Sequence, residues 1–170
     1  LLIFANTRER MYLSFSLSLA SLILVVMHFD GLLFQYFYPA HPSVSFEVFV
    51  SSIASLYFFA FWFADDFLNA RRHNPDVHRA LRLFQGLAAA LLASAWLLPN
   101  ELTLGYGIVL CALGSLLCLM AGFVNVAQGR VSGRYYLLAI GAVTLGSLVY
   151  LALYCGFLAS NPFYEAILKY

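Results

Sequence analysis

A chain of 170 residues that is 63% hydrophobic and only 10% charged falls outside the ordinary soluble class, in which roughly a quarter of the residues carry charge. A water-soluble fold of this size would have to leave large apolar patches exposed, so the composition excludes one. The formal net charge of +1 separates no function classes, because in a membrane protein it is the placement of charge that informs.

Five charge-free runs approach or exceed the ~18 residues that mark a membrane span: Met11–Phe29, Val48–Ala64, Leu83–Asn100, Leu102–Gly129 and Tyr135–Tyr164. The fold class expected is all-α, a polytopic transmembrane helical bundle with five complete spans and partial first and seventh spans. The chain opens on Leu-Leu-Ile-Phe-Ala without the layout of a signal peptide and ends as another apolar amphipathic segment begins. The expectation is a fragment, 1–170, of one transmembrane domain. Its spans are set at about 1–5 (partial), 11–29, 47–64, 83–98, 102–125, 135–158 and 163–170 (partial).

In chain order, Leu1–Ala5 reads as the end of a helix and Asn6–Arg10 as a tight polar connection. The span that follows is about 28 Å long at a helical rise per residue. It places Ser14, Ser18 and Ser21 on one face, where small residues admit a neighbouring helix; a serine-lined polar pocket is the alternative. Gly31, Pro39 and Pro42 end this region. Phe34, Tyr36, Phe37 and Tyr38 are rings suited to headgroup level. His28, Asp30 and His41 lack the short ligand spacing of a metal site, and none is expected there. The span from Glu47 to Ala64 again spaces serines by four, at Ser51 and Ser55, and grows densely aromatic towards its end.

The stretch 61–84, FWFADDFLNARRHNPDVHRALRLF, reads as a charged hairpin. Arg71 and Arg72 stand where a helix C-terminus favours cations. Asn74-Pro75-Asp76 is a helix start, with a capping Asn, Pro at the first position and an acid in the first turn. Pro99-Asn100-Glu101 forms a minimal turn. The long span after it has glycines and Cys111/Cys118 suited to close packing, and Gln128–Arg134 is a basic loop. The last complete span carries Ala142 and Gly146 in a small-xxx-small pair, and Ser160-Asn161-Pro162 turns the chain towards Phe163–Tyr170. With Cys155, the cysteines all fall inside spans, which is no disulfide framework.

Connections alternate sides, so loop charge sets orientation. Thr7–Arg10, Asp65–Arg82 and Gln128–Arg134 hold every arginine, and the opposite connections hold no Arg or Lys. The positive-inside rule makes the loops with Arg8, Arg71–Arg82 and Arg130–Arg134 cytoplasmic. Lys169, the exception, snorkels outward.

No Walker A, HExxH or GxSxG pattern is present, and no catalytic, cofactor-binding or metal residue is assigned. The nearest approach to a site is Asp65-Asp66 with His73 and His78, which could bind metal or relay protons. The competing reading has Asp65 and Asp66 as interfacial ion pairs with Arg71, Arg72 or arginines of neighbouring loops. Arg71, Arg72, Arg79 and Arg82 are then topology anchors. No span carries Asp, Glu, Lys, Arg or His near its midpoint, and all five prolines lie in connections. Both observations weigh against a coupled transporter.

Four features together resemble the membrane domain of the bacterial seven-transmembrane receptors with diverse intracellular signalling modules (7TMR-DISM). They are the basic turn Asn6–Tyr12; Gly31-Leu-Leu-Phe-Gln-Tyr-Phe-Tyr-Pro39; Phe67-Leu68 followed by Arg71-Arg72, Pro75 and Arg79-Ala-Leu-Arg82; and Leu97-Leu-Pro99. The resemblance implies that Leu1–Ala5 ends span one and Phe163–Tyr170 begins span seven. It also implies an extracytoplasmic sensory domain upstream and an output module downstream, such as a histidine kinase, diguanylate cyclase or phosphatase. No role is carried over to Asp65, Asp66 or His73. The function expected is a sensor and signal-transducing module of the bacterial inner membrane, not itself an enzyme and without a cofactor. Its partners are the lipid bilayer and the two flanking modules, with a homodimer left open and no nucleic acid. A small-molecule transporter or permease subunit is the alternative. A third reading is a lipid-acting enzyme using Asp65, Asp66 and His73.

Overall fold

A computed structural model describes residues 10–37, 39 and 44–154, with side chains as far as residue 145. The expectations for Leu1–Ala5, Arg8, Tyr38, His41, Pro42, Gly146 as a packing residue, Cys155, Ser160–Pro162, Phe163–Tyr170 and Lys169 lie outside the described residues. Every described element is a helix: α1 (Arg10–Phe29), α2 (Leu32–Tyr36), α3 (Ser45–Phe67), α4 (Ala70–His73), α5 (Pro75–Leu97), α6 (Asn100–Ala127) and α7 (Val131–Tyr154). Four of them (α1, α3, α5 and α6) are long and apolar enough to cross a membrane.

The chain forms two compact units, residues 1–118 and 119–170. In the first, α3 is the shared element, packed along α1 and along α5. Small residues let it approach: Ala54 and Ala64 on α3 and Ala88 and Ala95 on α5 are buried, while Leu83, Leu87 and Leu92 on α5 face outward. In water those outward leucines would be a liability; in hydrocarbon they are the solvent-facing surface. The beginning of α6 is tied to α3 and α5 by hydroxyls. Tyr57 bonds Ser115 Oγ at 2.9 Å and donates to the Cys111 carbonyl at 3.3 Å, and Tyr106 donates to the Leu87 carbonyl at 2.7 Å. Gly114 has no room for a Cβ, which would sit 2.7 Å from Phe61 Cζ. Cys111 and Cys118 are thiols, with Cys118 buried.

The serine stripe on α1 is spent on its own helix. Ser14, Ser18 and Ser21 donate to the carbonyls of Met11, Phe15 and Leu17 at 3.0, 2.8 and 3.0 Å, so a small polar residue packs without leaving a dangling donor. On α3 the stripe differs from the expected one. Ser52, bonded to the Val48 carbonyl at 2.8 Å, is the buried serine, and Ser51 instead accepts from Trp96 Nε1 at 3.0 Å.

The hairpin after α3 is shaped by its backbone. Leu68 N–H bonds the Ala64 carbonyl and Asn69 N–H the Asp66 carbonyl, and Asn69 turns the chain at φ 48°. Arg71 and Arg72 therefore close a separate one-turn helix, α4, and not the end of the long span as the sequence suggests. Asn74 ends α4 through its N–H to the Ala70 carbonyl at 2.8 Å, and its own carbonyl accepts from His78 N at 3.0 Å to open α5. Pro75 and Asp76 sit as expected, but the Asn74 side chain makes no cap bond. Because only Gly and Asn or Asp visit left-handed φ cheaply, Asn69→Val is expected to cost about 1–2 kcal/mol. Asn69→Gly should stay within a few tenths. Thermal melts in detergent check the pair.

In the second unit, α6 ends as Gly129, at φ 74°, donates to the Val126 carbonyl and Arg130 N–H bonds the Asn125 carbonyl. The start of α7 then lies hard against the end of α6: a Cβ on Gly133 would meet Val126 N and Asn125 Cβ, both at 2.8 Å.

Candidate functional site

The buried face of α3 carries Val50, Ala54, Phe61 and Ala64, and ends in a carboxylate, Asp65. Spacings of four and seven put Ala54, Phe61 and Asp65 on one stripe. The facing stripe of α5 begins with His78, Arg82 and Gln85, at i, i+4 and i+7, before it becomes apolar. Asp65 is only 4% exposed, and both of its oxygens are used: Oδ1 lies 2.6 Å from His78 Nδ1 and Oδ2 lies 3.2 Å from Arg82 Nε. Arg82 extends the chain by donating to Gln85 Oε1 at 3.0 Å. A buried carboxylate is costly unless it is paired and hydrogen-bonded. Here two groups from one helix hold a carboxylate of the next, which locks α3 to α5 at the arginine-bearing end of the bundle.

The other residues singled out in the sequence are distributed differently from the expected cluster. His73 turns back to the Asn69 carbonyl at 3.1 Å, so it does not join Asp65. Arg79 pairs weakly with Asp76 at 3.5 Å, with both side chains largely in solvent. The ion-pair partner of Asp65 on the hairpin is Arg82, and neither Arg71 nor Arg72 forms an ion pair with a described residue. Asp66 Oδ2 is buried without a hydrogen-bond partner. His28 stacks on Phe49 with ring centroids 4.6 Å apart. Among the described residues no group of three or more His, Cys, Asp or Glu could hold a metal ion.

Beside the Asp65 network lies a half-open cleft of about 420 Å³. Its walls come from α1 (Arg10, Met11), α3 (Trp62, Asp65, Asp66), the turn (Asn69), α4 (Arg71) and α5 (Arg82). Sequence reasoning alone groups Asp65 with His78 but misses the cleft and Arg82 as the second partner of Asp65. The signal for the arrangement is present in the i, i+4, i+7 spacing of His78, Arg82 and Gln85 on the face that carries Leu81, Ala88 and Leu91.

These polar groups gather at one end of apolar, membrane-length helices, with α3 as a shared rod. A family model described as 7TM diverse intracellular signalling matches residues 1–170, the whole chain. The chain belongs to this family. It is a 7TMR-DISM membrane domain, an all-α transmembrane sensory receptor domain of a multi-pass membrane protein. No curated protein and no solved structure matches the chain. The Asp65 network is therefore read from this 7TMR-DISM domain's own geometry.

Proposed function

We propose that this 7TMR-DISM domain couples an extracytoplasmic ligand-binding domain to a cytoplasmic output module carried on the same chain, in the bacterial inner membrane. The observation that carries the proposal is the position of α3. It packs along both α1 and α5 and ends, at the arginine-bearing face, in the ion-paired Asp65. A tilt or slide of α3 at its far end must therefore be met at this end, either by movement of α5 or by breaking of the pair. A bistable contact of this kind is what a helix-shift mechanism requires. The arginine-bearing loops are cytoplasmic in this reading, by the positive-inside rule, and Arg71, Arg72, Arg79 and Arg82 anchor that orientation.

Reporter insertions test the orientation. A cytoplasm-dependent fluorescent reporter placed after Asn74 is expected to be active, and a periplasm-dependent phosphatase at the same place inactive; the 39–45 segment should give the opposite pair. An active phosphatase after Asn74 would overturn the orientation. Coupling is tested in the intact receptor. Asp65→Asn, which keeps the shape and removes the charge, should shift basal output or ligand response at least several-fold at unchanged protein level. Unchanged output would remove the Asp65 contact from the signal path. Solute uptake into proteoliposomes by the intact protein would favour a transporter instead.

A further inference from the structure

Several hydroxyls of the described helices close on their own backbone. Ser14, Ser18, Ser21, Ser52 and Ser94 each donate to a carbonyl three or four residues back, as Thr144 does to Ile140. Ser115 on α6 does otherwise: it is bonded to the Tyr57 hydroxyl of α3 at 2.9 Å. The carbonyl four residues before Ser115 belongs to Cys111, and Tyr57 takes that one as well, at 3.3 Å. One tyrosine hydroxyl thus stands between a serine and the carbonyl that a helical serine ordinarily uses.

Tyr57 brings one hydroxyl proton and Ser115 another, so two arrangements use both. In the first, Tyr57 donates to the Cys111 carbonyl and accepts from Ser115. In the second, Ser115 turns to the Cys111 carbonyl and Tyr57 donates to Ser115 Oγ. Each contains two hydrogen bonds, but only the first needs the tyrosine oxygen within reach of the carbonyl. Conserving the bonds matters inside an apolar span, where no water replaces a lost partner and an unmade bond would freeze the contact. The packing beside the hydroxyls leaves the same freedom. At Gly114 an added Cβ would be 2.7 Å from Phe61 Cζ and 3.4 Å from Tyr57 Cε1. Two rings of α3 therefore rest on bare backbone of α6. Separation is fixed there, and no side chain of Gly114 blocks a slide along it. Slides of about 1–2 Å are the usual scale of helix shifts.

We propose that Tyr57 and Ser115 form a sliding contact between α3 and α6, whose two hydrogen-bond arrangements mark two positions of α3. This contact rests on the coupling role proposed for α3 and deepens it: a second polar contact, about two turns from Asp65, follows the shift that is met there.

Basal output of the intact receptor, read without ligand, tests the contact, with Asp65→Asn in the same assay. Ser115→Ala abolishes the second arrangement and holds Tyr57 on the Cys111 carbonyl, whereas Tyr57→Phe releases α3 from both. The two variants should therefore shift basal output several-fold in opposite directions. Ser115→Thr, which keeps the hydroxyl, should give the wild-type level. Ser52→Ala, whose lost hydroxyl was bonded within α3, should match it. Protein level, size-exclusion profiles and melts confirm that each variant folds; should Tyr57→Phe not fold, a shift in Ser115→Ala that is absent in Ser115→Thr carries the test alone. A shift of Tyr57→Phe and Ser115→Ala in the same direction marks ordinary packing and overturns the two arrangements. Wild-type output in both, while Asp65→Asn shifts it, overturns the sliding contact and leaves coupling through α3 standing. Wild-type output in all three overturns the coupling role of α3 and this contact with it.

Discussion

Arg82→Ala is expected to destabilise the domain by about 3 kcal/mol, far more than loss of any other hairpin arginine. Removing one partner of a buried pair strands the other charge, at a cost of about 3–5 kcal/mol. Asp65, 4% exposed, is the charge left behind with His78 as its one remaining partner, and Arg82 is itself 49% exposed, which places the expected value at the low end. The asymmetry in burial gives the prediction its shape. Asp65→Ala strands only a half-exposed guanidinium that can turn to water or headgroups, so it should cost less, about 1–2 kcal/mol, the ordinary worth of a charged hydrogen bond. The double variant D65A/R82A should be more stable than R82A alone, because no buried charge remains, and the cycle should show coupling above about 1 kcal/mol. Arg79→Ala is the control: its pair with Asp76 is 3.5 Å long and exposed on both sides, and such pairs contribute about 0–1 kcal/mol. Reversible unfolding in mixed micelles measures all four variants. If Arg82→Ala behaves like Arg79→Ala, the network does not hold α3 to α5.

The helices and their junctions were legible because their causes are local. The apolar run lengths located α1, α3, α5 and α6, and Pro75 marked the start of α5, since a missing N–H costs nothing at the first helical position. Gly31, at φ 72°, marked the stop after α1. What the sequence did not reveal depends on which faces meet. Asp65 and Asp66 are neighbours in sequence but point 100° apart on a helix, so only Asp65 enters the α3–α5 seam and pairs with His78 and Arg82. Treating them as one acidic pair directed both towards Arg71 and Arg72, five to seven residues away, or towards arginines of neighbouring loops. The actual partners of Asp65 are thirteen and seventeen residues on, across the break at Asn69. The serine stripes show the same limit. Periodicity placed Ser14, Ser18 and Ser21 on one face, but it could not say that each hydroxyl would bond its own helix. On α3 it selected Ser51 and Ser55, whereas contact with the neighbouring helices buries Ser52.

Among the described glycines, Gly133→Ala is expected to be the most damaging added methyl. In the abstract, alanine should improve a helical glycine by up to about 1 kcal/mol, and at Gly105 or Gly141, where nothing lies within 4 Å of the added Cβ, that gain is the expected outcome. At Gly133 the added carbon would lie 2.8 Å from Val126 N and 2.9 Å from the Asn125 carbonyl carbon. These are backbone atoms of α6 and cannot rotate away, so the helices must separate. Overpacking of a fitted site costs about 1–3 kcal/mol, and rigid neighbours put Gly133 at the upper end. Separation would also open the packing around Asn125, which is fully buried with its Nδ2 bonded to the Ala121 carbonyl. Gly114→Ala supplies the comparison, because its clash is with a ring atom, Phe61 Cζ at 2.7 Å. A ring can tilt, although Phe61 is enclosed and stacked edge-on against Phe84, so the cost there should be smaller, about 1–2 kcal/mol. The expected order of stability is therefore Gly141→Ala, wild type, Gly114→Ala, Gly133→Ala, read from unfolding midpoints in one detergent. Were Gly133→Ala as stable as Gly141→Ala, the close approach of α7 to the end of α6 would be wrong. The same order bears on function, because a glycine whose Cβ has no room marks where two helices are held at fixed separation. The helix contact at Gly133 is one such point within the second unit.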